Sequence, residues 1–193
     1  PHDEPNDGIT PRVSTPLSCP GETPTDWIAK VLGIDGDLGD AFNRYSVHPY
    51  TAYGDVGPYA RTSAEEDYDF GKLRPIYADI LANQRSGPPH EMWITETGWS
   101  TANQSGTEQG HNRWVTEPRQ ADFVRNAVLR SLGTPASGVR EFPYVERTYI
   151  FTWSRDGIDP TDREAFFGLR RNNGSSKPAF PMLCRLARTN CPL

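Results

Sequence analysis

Stretches that read as strands alternate with stretches that read as helices four times along the chain, and this alternation restricts the fold more than any other feature. Short runs rich in apolar, β-branched and aromatic residues predict strands at 12–19, at 42–50, in the Met92-Trp93-Ile94 run that leads to Glu96, and at 145–153. Pro16 weakens the first and Pro49 stops the second. Helical patterns follow each of them. Thr25 caps the first helix, with Trp27, Ile28, Val31 and Leu32 at helical spacing and an end near Gly33. The second covers 68–83, with Leu73, Ile76, Tyr77, Ile80 and Leu81 on one face, and Pro75 predicts a kinked or late first turn. The third runs from a Thr116 cap, past Pro118, to Gly133, and turns Phe123, Val124, Ala127, Val128 and Leu132 inward. The fourth follows Pro178 through Met182, Leu183 and Leu186. Such alternation predicts an α/β fold, a parallel sheet with its helices outside. Four strand-helix units are half of a (β/α)8 barrel.

Composition narrows the partners. Aromatic residues make up 11% of the 193, which is enough for one packed domain, and 17 glycines with 18 prolines predict long functional loops. A net charge of −5 argues against nucleic acid or an anionic membrane as partner. No run of apolar residues is long enough to span a membrane, and no signal peptide opens the chain. The start at Pro1, without an initiator Met, reads as a processed or truncated N-terminus. The three cysteines form no CxxC and no His/Cys metal spacing. Cys184 and Cys191 are close enough in sequence to close a small disulfide loop, with Cys19 as a competing partner. Asn103 and Asn173 fit the glycosylation acceptor pattern, and secretion is the corresponding expectation.

The unusual residues fall where strands end. Glu96 follows an apolar strand and precedes a turn at Gly98, and a carboxylate there is costly unless paired, hydrogen-bonded or used. Thr95 and Thr97 can orient it, and Trp93 and Trp99 can wall a pocket or stack on a flat apolar ligand face. His48, Tyr50 and Trp153 also sit at the C-terminal ends of predicted strands, the ends that converge on one functional face in a barrel. Each has an ordinary alternative taken singly: a salt-bridged glutamate, a satisfied histidine, a core tyrosine, a packed tryptophan.

Together these segments resemble a known group. Ile94-Thr95-Glu96-Thr97-Gly98-Trp99 is similar to the nucleophile segment of retaining glycoside hydrolases with (β/α)8 barrels, the clan that includes families 5, 17 and 39. Val47-His48-Pro49-Tyr50 resembles the sixth strand of that clan, and Tyr149-Ile150-Phe151-Thr152-Trp153 the eighth. Phe166-Phe167-Gly168-Leu169, followed by Lys177-Pro178-Ala179-Phe180, looks like the tail of families 17 and 39. The resemblance implies that Glu96 is the catalytic nucleophile and that His48 and Tyr50 line the subsite of the cleaved sugar. It also implies Trp153 as the floor under that sugar, with Trp99 as a further stacking residue.

The resemblance also implies net retention at a β-linked glycan, a β-glucan or a β-xyloside, with no metal or organic cofactor. A second carboxyl, about 5–5.5 Å from Glu96, would protonate the leaving oxygen and then activate water. In the clan it lies in an Asn-Glu-Pro segment that ends the fourth strand. Here Asp3-Glu4-Pro5 is similar, but too few residues separate Glu4 from 12–19 for the intervening helix. The expectation is therefore that residues 1–193 are the C-terminal half of one barrel domain, strands five to eight. The acid/base group is then Glu4 or a residue upstream of Pro1, and the N-terminal half of the barrel is a partner alongside an oligosaccharide or polysaccharide. Two rivals remain at this level: a carbohydrate-binding barrel without the second carboxylate, and a structural half-barrel whose unpaired edges seek another chain.

Overall fold

The computed structural model describes residues 12–13, 30, 44–51, 54–59, 70–84, 90–102, 114–133, 140–154 and 163–187. Four strands, β1 (Arg12–Val13), β2 (Arg44–Val47), β3 (Glu91–Ile94) and β4 (Val145–Thr148), form one sheet in the order β1-β2-β3-β4. Every pairing is parallel, with Val47 opposite Ile94 and Ile94 opposite Thr148. Three α-helices with described bounds accompany it: α1 (Leu73–Asn83), α2 (Glu117–Leu132) and α3 (Ala179–Ala187). The expected parallel α/β alternation is present. The first expected helix, at 25–33, lies outside the described residues except for Lys30, which is helical.

Strand alternation sorts the side chains onto two faces. Tyr45, Val47, Met92, Ile94 and Val145 pack into one core with Leu73, Ile76 and Ile80 of α1 and Val124 and Ala127 of α2. Arg44, Ser46, Glu91, Trp93 and Glu146 occupy the other face. The core thus lies between sheet and helices, as a barrel segment requires.

The helices start and stop for local reasons. A 3-10 turn (Phe70–Lys72) precedes α1, so the helix starts later than 68, and Pro75 falls in its first turn, where a missing N–H leaves no bond unmade. Thr116 Oγ1 accepts from the Arg119 N–H at 3.4 Å and caps α2, while Gly133 closes it at φ 76. Val124 and Ala127 are buried as expected, but Phe123, Val128 and Leu132 are only half-buried. Gln120, Arg130 and Ser131 are buried instead. Arg130 donates to both carboxylate oxygens of Glu141, at 2.6 and 2.5 Å, and to the Pro58 carbonyl. These bonds and the flanking Tyr59 and Phe142 rings account for a buried guanidinium.

One strand is shorter than expected: β4 ends at Thr148 rather than at Trp153. Beyond Thr148 the chain still donates, from Tyr149 N–H to the Ile94 carbonyl at 2.8 Å and from Phe151 N–H to the Thr97 carbonyl at 2.9 Å. Its partner there is the segment after β3, which is no longer strand, and the β4 continuation itself bends at Phe151 and Trp153, so the regular ladder stops. Cys184 is buried in α3, whereas Cys19 and Cys191 lie outside the described residues.

Candidate active site

Glu96 lies two residues past β3, and His48 and Tyr50 lie just past β2. Because the strands are parallel neighbours in register, these three emerge from the same end of the sheet. The Tyr50 hydroxyl donates to Glu96 Oε2 at 3.3 Å, and His48 Nδ1 stands 3.5 Å from the same oxygen. His48 is buried, while about a third of the Glu96 side chain (33%) is open to solvent. A carboxylate held on one oxygen and open to solvent can meet an incoming electrophile.

The surroundings hold this arrangement. Thr95 N–H donates to the Val47 carbonyl at 3.1 Å, and the Ser46 and Thr95 hydroxyls lie 2.7 Å apart. Thr97 Oγ1 donates to the Pro49 carbonyl at 3.0 Å. The Tyr50 ring stands edge-on to Phe167, which in turn meets Phe151. Gln120 Nε2 of α2 donates to the carbonyls of Trp99, at 2.8 Å, and of Phe167, at 3.2 Å, so one side chain ties the Glu96 segment to the wall behind Tyr50. Gly98 admits the closest approach. A Cβ there would lie 2.2 Å from the Phe151 carbonyl oxygen, so no larger residue fits without moving backbone. Buried Lys177 adds a further tie, its ammonium donating to Thr101 Oγ1 at 2.9 Å and to the Phe166 carbonyl at 3.1 Å.

The two candidate stacking tryptophans part company. Trp153 is 55% exposed, braced edge-to-face by Phe180 and flanked by the Arg170 guanidinium. Trp99 is 1% exposed, donates its indole N–H to the Val56 carbonyl at 2.8 Å and abuts Phe123. The expected role of Trp99 as a sugar platform is therefore corrected: the indole is core, with no face left for a ligand. Ser46 and Gln120 were absent from the expected site. The alternation that puts Arg44 and Ser46 on one strand face was the only sequence signal for Ser46. Nothing local marks Gln120. Glu4 lies outside the described residues.

A second carboxylate behaves differently. Glu146 Oε2 accepts from Arg44 Nε at 2.6 Å and from the Trp93 indole at 2.7 Å, and Arg44 also reaches Glu91 at 2.8 Å. The Arg44 bond, then the Trp93 bond, hold the Glu146 carboxyl down to about 2. This cluster lies toward the opposite, N-terminal ends of the strands. Among the described residues no group of three or more His, Cys, Asp or Glu could hold a metal ion.

A family 39 glycoside hydrolase from the gut symbiont Bacteroides cellulosilyticus WH2 matches with a TM-score of 0.55 at 22% identity, covering 80% of this chain and 28% of its own. The likeness is one of fold. A family 17 β-1,3-glucanosyltransferase from Rhizomucor miehei is more distant, at TM-score 0.46 and 13% identity over 80% of this chain and 55% of its own. The catalytic core of a xylanase A gives 0.49 and 14% over 86% and 46%. These neighbours are TIM-barrel glycoside hydrolases, and the chain spans from about a quarter to just over half of their lengths. No protein-family model and no curated protein matches the chain.

Proposed function

We propose that this chain belongs to a retaining glycoside hydrolase acting on a β-linked glycan, a β-glucan or β-xyloside, with Glu96 as nucleophile. The observation that carries the reading is the convergence of the Tyr50 hydroxyl and the His48 imidazole on one oxygen of a solvent-reachable strand-end carboxylate. Glu96 attacks the anomeric carbon, the bond to the leaving oxygen breaks, and a glycosyl-enzyme ester forms. A second carboxyl, Glu4 or a residue preceding Pro1, protonates that oxygen and then deprotonates the water that releases the sugar. Tyr50 and His48 hold the nucleophile and line the cleaved sugar's subsite. Trp153 offers the exposed indole face on which a sugar ring stacks.

In this reading residues 1–193 supply strands five to eight of a (β/α)8 barrel, and the other half brings the acid/base group. Disulfide pairing of Cys184 with Cys191 and an extracellular location belong to the same proposal. The test is turnover of β-glycans by the complete barrel that contains this chain. Glu96→Gln keeps the shape but removes the nucleophile, so kcat should fall by ~10⁴-fold while oligosaccharide binding persists. Near-parental kcat in that variant would remove Glu96 from the chemistry and leave a binding role.

A further inference from the structure

The ladder between β2 and β3 changes character where Glu96 begins. Val47 accepts from Thr95 N–H at 3.1 Å, the last ordinary rung. In a parallel pair the next rung needs the N–H of residue 49, and residue 49 is proline, which has none. The chain continues the connection with side chains. Below Glu96 the Thr95 hydroxyl meets Ser46 at 2.7 Å, and above it the Thr97 hydroxyl donates to the Pro49 carbonyl at 3.0 Å. Thr97 has no exposed surface and Ser46 only 3%, so water competes little with either bond. Glu96 sits between these two connections as His48 sits between Val47 and Pro49.

We infer that Ser46, Thr95 and Thr97 are positioning residues. Their hydroxyls clamp the Glu96 segment to the His48–Tyr50 segment on both sides of the nucleophile and so set the Tyr50–Glu96 approach. The inference rests on the proposed role of Glu96 and adds residues that act through it. Backbone bonding alone cannot do this, because Pro49 interrupts it at the critical point. Misplacement of a reacting group by about 1 Å costs up to ~10²-fold in rate.

The experiment compares Thr97→Val and Thr97→Ser in the complete barrel, with Glu96→Gln alongside. Thr97→Val, nearly isosteric but without a donor, should lower kcat about tenfold with KM within about twofold, and Thr97→Ser should restore kcat to within about twofold of the parent. A kcat within about twofold of the parent in Thr97→Val, with Glu96→Gln inactive, would overturn the inference, as would equal losses in the Val and Ser variants. Should Thr97→Val fail to fold, Ser46→Ala carries the same test, with an expected loss of about threefold in kcat. Should Glu96→Gln stay active, the catalytic reading fails by itself and the crystal structure of Thr97→Val decides the clamp. Parting of Tyr50 Oη from Glu96 Oε2 beyond about 4 Å supports it, and an unchanged contact overturns it.

Discussion

Glu96 and Glu146 sit on the same sheet with the same exposure, 33% of each side chain, and differ in their company. Glu146, near the N-terminal ends of the strands, takes a guanidinium and an indole N–H on one oxygen at 2.6 and 2.7 Å. Its neighbours are themselves committed, since Arg44 is shared with Glu91 and Arg147 lies over the Trp93 ring. Glu96, past the C-terminal ends, has a tyrosine hydroxyl at 3.3 Å and an imidazole nitrogen at 3.5 Å, and its Oε1 takes no hydrogen bond from any described residue. Exposure therefore does not distinguish a structural carboxylate from a candidate nucleophile on this sheet. The strength and number of the partners do. Charge-assisted bonds fix Glu146 in place, whereas weaker contacts orient Glu96, as its proposed role as nucleophile requires.

The contrast can be broken or sharpened by substitution, beginning with the framework of the C-terminal end. Gly98→Ala drives a methyl against the Phe151 carbonyl, so a loss of about 3 kcal/mol or more is expected in denaturant unfolding. Gly71→Ala, with nothing within 4 Å of its Cβ, should stay within about 0.5 kcal/mol of the parent. The tryptophans should separate next. Trp99→Ala empties a core site and should cost about 3–5 kcal/mol, whereas Trp153→Ala should leave the fold near parental and weaken oligosaccharide affinity roughly tenfold. Equal stability losses in the two would erase the distinction between core and platform.

At the other end of the strands, Glu146→Gln should lower stability by about 1 kcal/mol near neutral pH and leave turnover unchanged. Its pH dependence follows from the sign of the shift. A carboxyl lowered from 4.5 to about 2 in the folded state contributes fully above its unfolded value and loses that contribution as pH falls toward 2. The stability gap between parent and Glu146→Gln should therefore narrow over that window. A gap that stays constant from about pH 6 to about pH 2 would show that Arg44 and Trp93 do not hold the ionised form.

Much of this architecture was legible because its signals are local. Thr116 and Gly133 bound α2, Pro75 falls in the first turn of α1, and the strand patterns at 42–50, 92–94 and 145–153 fall on β2 to β4 in the expected order. The meeting of Glu96 with His48 and Tyr50 was legible for a related reason, since parallel strands in register bring their ends together. What escaped depends on distant partners. Trp99 follows a strand-end glutamate, a position equally suited to stacking or packing, and the Val56 carbonyl that takes its indole N–H is not adjacent in sequence. Gln120 falls on the buried face of an amphipathic helix, where period alone predicts an apolar residue. Its amide nitrogen is satisfied by two carbonyls, of Trp99 and Phe167, that only the folded chain supplies. The early end of β4 has the same origin, because its pairing partner β3 stops being strand after Ile94.

The most direct test of the account traps the covalent intermediate. The complete barrel is incubated with a 2-fluoro β-glycoside carrying a good leaving group, which forms the glycosyl-enzyme faster than water releases it. Proteolysis and fragment sequencing by mass spectrometry then locate the sugar. One sugar per chain is expected, on Glu96, with none on Glu91 or Glu146 and none in Glu96→Gln. Stoichiometric labelling on another carboxylate, or β-glycan turnover with inversion and no trapped ester, would contradict it.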